Sequence, residues 1–296
     1  MPRPIPSTRI VAMTIDDRRA RYLLPCAHRL TVSSGLADAC AKARRQECLV
    51  KPALACRGEE LLLRMTAAQG VPAAREVACD MARSTEDFWS WCLSLTGQPW
   101  GEAPARRDMR ERIRVWQHVR RDGAWVPRTQ DGLLAMWSAA TKGEYPVYRE
   151  SATAQFRTEG VPFAHGAIPF ELAPLPLGKQ TASPEEIPAQ VDALLELVAE
   201  SALPLEARAA AAHFALELIH PFRDGNGHCA RMLACSMLAH AYALPCLIAL
   251  VARIQGSRMA LSAMIGATVK EHADTEPLCR YFVELLIAAQ QDVLSM

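Results

Sequence analysis

The sequence predicts an all-α protein carrying one irregular insertion, and three observations support that expectation. Apolar residues recur at three- and four-residue intervals through most of the 296 residues, as they do in helices that bury one face. Alanine is abundant and arginine far outnumbers lysine, a composition favourable to helix. The third observation is a break in texture: about forty residues from Glu144 to Glu186 are rich in proline and keep no helical period. A stretch that long without secondary structure is either functional or disordered.

Bulk properties narrow the class. The length suits one large domain or one domain with an extension. Half of the residues are apolar and the formal net charge is +1 at pH 7, so the whole chain shows no electrostatic footprint for nucleic acid and no nucleic-acid partner is expected. The 10 cysteines form no CxxC pair, and several sit inside apolar runs such as "CARMLACSML". Reduced, partly buried thiols in a cytoplasmic protein are therefore expected. No apolar run reaches the ~18 residues of a membrane span, and the first residues lack the apolar core of a cleavable signal. No membrane association is expected, and a secreted protein without a cleavable signal stays open.

The elements follow in order. Helical patterning covers "SGLADACAKARRQECLV", "GEELLLRMTAAQ" and "AAREVACDMARSTEDFWSWCLSL", making residues 1–105 an N-terminal helical extension of unassigned role. "TGQPWGEAPARRD" reads as a connection to a second unit, 106–296. That unit opens with "MRERIRVWQHVRRD", a basic run read as a solvated helix face, and "TQDGLLAMWSAATKG", closed by Gly143 at a C-cap. Within the insertion, "AQFRTEGVPF" is extended in pattern and can pair as a short hairpin. Helix resumes after Ser183 as N-cap, with Pro184 at the first position and Glu186 completing a capping box. "PLEARAAAAHFALELIH" is apolar enough all round to be a central buried helix. "HCARMLACSMLAHAYAL" is expected to run as one helix to Pro245, and two further helices, "SRMALSAMIGATVKEHA" and "PLCRYFVELLIAAQQDVL", complete the tail. Trp89, Trp91, Trp116 and Trp137 are read as core aromatics, and His213 as a packing histidine.

Between two of these helices lies "HPFRDGNGHCAR", residues 220–231, and its residue types suit a phosphate ester. Gly225, Asn226 and Gly227 allow unusual backbone angles, so successive N–H groups can line an anion nest. A helix begins there, and its unpaired N–H groups and positive dipole end add to the same site. Asp224 can hold a Mg²⁺ that bridges phosphate oxygens. Arg231, one turn into the helix, can fold back and offer a guanidinium fork. His220 has an imidazole suited to taking a proton from an attacking hydroxyl, and Phe222 is an apolar anchor for the loop.

This stretch resembles the Fic family motif HxFx(D/E)GNGRxxR at every defined position except one. The flanking "YRESATAQFRT", "SPEEIPAQVDALLELV" and "PLEARAAAAHFALELIHPF" also resemble that family, over about residues 110–245. The resemblance implies a Fic-type helical core in 106–296 that transfers a nucleotidyl group, most often AMP from ATP, to a hydroxyl side chain of a target protein. It implies His220 as general base, Asp224 as Mg²⁺ ligand, Gly225, Asn226 and Gly227 as the phosphate nest, and Arg231 on the distal phosphates. The irregular stretch near Val161 to Gly178 would be a short β-hairpin-like flap that holds the target by strand-like pairing, with Val161, Phe163, His165 and Ile168 as its contact residues. ATP is the implied co-substrate and Mg²⁺ the cofactor, and self-association as a homodimer stays open.

The departure from the motif is His228, where the family has arginine. Arginine is a permanent cation with five donors, whereas histidine is charged only below its pKa. Loss of a charged hydrogen bond of that kind costs on the order of 1.5–3 kcal/mol, about 10- to 100-fold in rate. Three readings stay open: a weaker AMP transferase, an enzyme for another phosphodiester donor such as UMP or phosphocholine, or a catalytically quiet nucleotide- or peptide-binding module. Retention of both His220 and Asp224 argues against the last. Many relatives also carry an inhibitory glutamate in (S/T)xxxE(G/N) that pairs with the second motif arginine. Glu159 is the one glutamate here followed by Gly or Asn, but Gln155 precedes it where Ser or Thr is required. Glu86, in the N-terminal extension, is the alternative candidate.

Overall fold

The computed structural model describes residues 20–23, 28–68, 111, 114–115, 118–119, 123–141, 156–158, 182–200, 202–270 and 274–295. Among these residues the protein is eight helices and one two-stranded hairpin. The helices are α1 (Ser34–Ala68), α2 (Gln130–Thr141), α3 (Ile187–Ala199), α4 (Leu205–Ile219), α5 (Asn226–Leu238), α6 (Leu244–Gly256), α7 (Arg258–Lys270) and α8 (Glu276–Ser295).

Helix α4 is the axis of the core. Pro204 stops regular structure before it, and Glu206 in its first turn is favoured by the positive end of the helix dipole. From Glu206 to Ile219 every residue except Arg208 is buried. Its run of alanines, Ala209 to Ala212, lets neighbouring helices approach closely, and α3, α5, α8 and α1 all pack against it. Phe214 meets Phe282 of α8 edge-on at 6.4 Å, with the ring of His213 4.9 Å from Phe214 and 5.5 Å from Phe282. His213 is thus a packing residue, and truncating Phe282 in this fully buried cluster would cost about 3–5 kcal/mol.

Helix α1 is capped by Ser33, whose hydroxyl accepts the Leu36 N–H at 3.1 Å. The two helical segments expected here form one 35-residue helix that tolerates Pro52 inside it. The helix lies along α8, where Gln290 donates to the Ala43 carbonyl and to Glu47, so its apolar face joins the same core as the later helices.

Four features depart from the sequence expectation. A hairpin that the helical reading missed, β1 (Ala20–Leu23) against β2 (Arg29–Val32), precedes α1. It docks on the start of α8, where Thr31 N–H donates to Asp274 at 2.9 Å and Thr275 N–H to the Arg29 carbonyl at 2.8 Å. Helix α5 ends at Leu238, not at Pro245, and Ala239–Tyr242 form a turn. Pro245 instead opens α6, a helix absent from the sequence reading, because a proline in the first turn gives up only an N–H that has no partner there anyway. Before α3, Glu186 accepts the Ser183 N–H at 2.9 Å, one arm of the capping box, and regular helix starts at Ile187. Finally, Glu111, Arg114, Val115, His118 and Val119 are helical, and Glu111, Val115 and His118 are buried. The basic run therefore has an inward face and is not simply solvated. Gly143 and the stretch from Val161 to Gly178 lie outside the described residues, and of "AQFRTEGVPF" residues 156–158 are described and are not in a strand.

Candidate active site

The loop between α4 and α5 is shaped first by Pro221. A proline disfavours right-handed helix in the residue before it, and His220 takes the left-handed conformation, φ 52° and ψ 54°. Non-glycine residues are uncommon there, so the turn stores strain of about 1–3 kcal/mol that surrounding contacts must hold. Arg157 supplies them. Its N–H donates to the Pro221 carbonyl at 2.9 Å and its Nε to the His220 carbonyl at 2.7 Å. Its Nη2 donates to the Ala182 carbonyl. The buried guanidinium thus ties the residues around 157 to the end of α4, and burial lowers its pKa from the usual value.

Asn226 closes the loop. Its Oδ1 accepts the Phe222 N–H at 2.9 Å and its Nδ2 donates to the Phe222 carbonyl at 2.8 Å, both buried. The Phe222 ring is buried, stacked on Trp137 at 5.2 Å and tilted against Phe156 at 5.8 Å. Trp137 Nε1 donates to the Asp224 carbonyl at 2.8 Å, so one tryptophan of α2 both covers the anchor and holds the loop backbone. Asp224 is exposed, and its Oδ1 accepts the Gly225 N–H at 2.6 Å.

The three-residue nest is narrower than the sequence suggests. Only Gly225 is left-handed, at φ 77°, and a Cβ there would strike Thr141 and Trp137. Asn226 and Gly227 already belong to α5. Gly227 is glycine for space: a Cβ would lie 3.0 Å from Glu217 Oε1 and 3.1 Å from Arg231 Nη1. Arg231 does fold back toward the start of α5, as its spacing implies.

Arg231 is buried, and it meets a carboxylate. Its Nε donates to Glu111 Oε1 and its Nη2 to Glu111 Oε2 at 3.1 Å. Gln255 of α6 donates to the same Oε2 at 2.8 Å, and His228 Nε2 lies 3.5 Å from it. Burial alone would raise the Glu111 pKa. Arg231, His228 and the hydrogen bonds from Arg231 and Gln255 outweigh burial and hold it down at about 2.

His220 Nδ1 lies 3.3 Å from the Glu217 carbonyl. A proton on Nδ1 satisfies that carbonyl and places the ring's lone pair on Nε2. Cys229 beside the loop is buried, and burial, then Glu217, pushes its thiol up, so it remains a protonated packing residue. Cys40, Cys48, Cys229, Cys235, Cys246 and Cys279 are free thiols.

The structure thus brings His220, Phe222, Asp224, Gly225, Asn226, Gly227, His228 and Arg231 into one loop and the first turns of one helix. Val161, Phe163, His165, Ile168 and Glu86 lie outside the described residues. Sequence reasoning missed Trp137, Arg157, Glu111, Glu217 and Gln255. Glu111 left one usable signal: it shares a face with Val115 and His118 at spacings of four and seven.

No group of three or more His, Cys, Asp or Glu side chains that could hold a metal occurs among the described residues. A lone exposed carboxylate such as Asp224 fits Mg²⁺, which is commonly held by one or two carboxylates together with substrate phosphates and water.

The helical core has the Fic fold. Similarity to solved structures agrees: a Fic family protein from Desulfovibrio desulfuricans G20 is 16% identical with a TM-score of 0.60, over 89% of this chain and 75% of that one. A fragment of Fic-1 from C. elegans is 18% identical with a TM-score of 0.53, over 89% of this chain and 73% of that one. A sequence model of the Fic/DOC family matches residues 129–238, from just before α2 to the end of α5, and this part of the chain is a Fic/DOC family domain. At the level of the family that domain supports a transferase-type enzyme. No curated protein matches the chain.

Proposed function

We propose that the protein transfers a nucleotidyl group, AMP from ATP, to a hydroxyl side chain of a target protein in the cytoplasm. The observation that carries this reading is the loop itself. His220 stands at one end, the N-terminus of α5 at the other, and Asn226 locks the two ends together through Phe222.

In this mechanism the target hydroxyl oxygen attacks the α-phosphorus of the nucleotide. The hydroxyl proton passes to His220 Nε2, the new oxygen–phosphorus bond forms, and the bond to pyrophosphate breaks. Arg157 holds the left-handed backbone of His220 through its carbonyl, and Nδ1 at 3.3 Å from the Glu217 carbonyl leaves Nε2 to take the proton. The first N–H groups of α5 receive the phosphate oxygens, with His228 and Arg231 supplying positive charge from its first and second turns. Mg²⁺, held by Asp224, would neutralise the phosphate charge. Trp137, stacked on Phe222 and bonded to the Asp224 carbonyl, holds the loop backbone in place.

The test is intact-mass analysis of the protein with cell lysate, Mg²⁺ and a panel of donors. AMP addition to a target or to the chain itself is expected with ATP. His220→Ala should lower it by about 10²- to 10⁴-fold with an unchanged melting temperature, and persistence of transfer in that variant refutes the assigned base. The histidine at 228 favours one second reading, transfer of UMP or phosphocholine, which the same panel reads as a different mass. Calorimetric binding of Mg·ATP without turnover over hours would instead mark a catalytically quiet module.

A further inference from the structure

Glu111 sits outside the loop and outside the motif, 120 residues before Arg231. It is nevertheless the group on which the two basic side chains of α5 converge. Residues 228 and 231 are three apart on one helix, so their side chains lie on one face. Both reach the same carboxylate, Arg231 through Nε and Nη2 and His228 at 3.5 Å. The bidentate contact fixes the plane of the guanidinium and sends its Nη1 end toward Gly227 at the start of α5.

The consequences for positions 231 and 228 differ. Arginine stays charged whatever its neighbours, so at 231 the carboxylate contributes orientation. An imidazole is charged only when its surroundings favour the proton, so at 228 the carboxylate contributes charge. Glu111 is 1% exposed and remains ionised at neutral pH. Around the same end of α5, Arg231 on its own helix opposes a second positive charge, and Glu217 of α4, whose Oε1 shares with Arg231 Nη1 the space beside Gly227, favours it. Gln255 of α6 on Glu111 and Trp137 and Thr141 of α2 beside Gly225 are neutral, and the loop carries His220 and Asp224. Two carboxylates, Glu111 and Glu217, thus flank one permanent cation, and a protonated His228 balances the cluster.

We propose that Glu111 is a positioning residue of this site: it orients Arg231 and keeps the imidazole at 228 as a cation at the start of α5. Its use to the protein rests on the nucleotidyl-transfer reading, whereas its geometry does not. A histidine at 228 then acts as a conditional substitute for a permanent charge, available to an anionic ligand at and below neutral pH and withdrawn above it.

The test has two arms. In the free protein, the Cε1–H resonance of His228 is followed against pH, with His228→Gln for assignment. The wild-type midpoint is expected above the ordinary histidine value of about 6.5, and Glu111→Gln should lower it by about 1 pH unit or more. A wild-type midpoint below about 6.5, or one that does not move in Glu111→Gln, overturns the proposal. The first criterion needs no variant, so misfolding of Glu111→Gln does not spare it.

In the second arm, Mg·ATP binding is measured by calorimetry at pH 6.5 and 8.5. Wild-type affinity should fall by about tenfold across that range, the worth of one charged hydrogen bond, while His228→Arg should show no such fall. Equal wild-type affinity at the two pH values removes the role in ligand binding. If Mg·ATP does not bind at all while the titration behaves as expected, the nucleotide reading fails and the Glu111–His228 relation stands.

Discussion

Two buried carboxylates, Glu206 within the central helix and Glu111 against α5, are neutralised in different ways. Glu206, in the first turn of α4, is 1% exposed and takes a fork from Arg44 of α1 at 3.0–3.1 Å and the Tyr242 hydroxyl at 2.6 Å. The Arg44 side chain is 54% exposed, so its charge stays solvated and the pair is a tie between α1 and α4. Glu111 has the same bidentate chemistry, but its partner Arg231 has a side chain only 6% exposed. Both charges there have left water, and each depends on the other. The difference teaches that a carboxylate–arginine pair is a fastener where the cation keeps its solvent and a committed electrostatic unit where it does not. Only the second kind can set the charge of a third group such as His228.

The largest effect expected from that difference is at Glu111. Glu111→Ala strands a guanidinium in the interior, and breaking a buried pair in this way costs about 3–5 kcal/mol. Urea unfolding should read that loss directly. A cost no greater than that of the matching change at Glu206 would erase the distinction between the two pairs.

The acid limb sharpens it further. Glu111 is held at about 2, below its ordinary 4.5, so its stabilisation is fully present above the ordinary value and is lost as pH falls through the interval down to the lower one. The unfolding free energies of wild type and Glu111→Gln should therefore differ by a constant amount near neutrality and converge between about pH 4.5 and 2. A gap that persists at the acid end would mean that shape, not charge, is what Glu111 contributes.

Glu206→Ala should cost less, about 1–3 kcal/mol. Arg44 returns to water at little expense, and the loss is that of the acceptor for the buried Tyr242 hydroxyl. Burial, then the hydrogen bond to Glu206, pushes that phenol's pKa up, so it stays a donor in need of an acceptor. Tyr242→Phe combined with Glu206→Ala should cost less than the sum of the two single changes, measured by the same unfolding curves.

What was legible in the sequence followed from how far apart the interacting residues are. The loop from His220 to Arg231 could be read because its chemistry is contiguous, and the helices α3, α4 and α8 because their apolar period is. Glu111 escaped because its partners lie 120 and 144 residues away, in a segment whose charges suggested a solvated face. Arg157 escaped for the same reason, since its carbonyl partner His220 is 63 residues on. Trp137 was read as a core aromatic, yet it is half-buried and clamps Asp224 from above. Helix α6 is hidden by the ambiguity of a local rule, since a proline that can stop one helix here starts the next, Pro245 lying in the first turn of α6. The hairpin before α1 was missed because its strands are four residues each, and its docking contacts come from residues 274–276, at the other end of the chain.

A third pair supplies the control at the small end of the scale. Arg253 of α6 donates through Nε to Asp292 of α8 at 2.8 Å, with the two side chains 42% and 33% exposed. The fork is as well formed as the one on Glu206, but here both partners keep contact with water. Desolvation is small, the Coulomb attraction is screened by solvent and salt, and two long side chains must be ordered to make the contact. Arg253→Ala should therefore change the unfolding free energy by about 0–1 kcal/mol, and that small change should shrink further at high salt. Arg253 lies outside the loop and its buried partners, so transfer should be unaffected. If the loss at Arg253 instead matched that at Glu111, bond geometry and not exposure of the cation would rank the three pairs. Burial of Arg231 would then no longer account for the hold of Glu111 on the charge at 228.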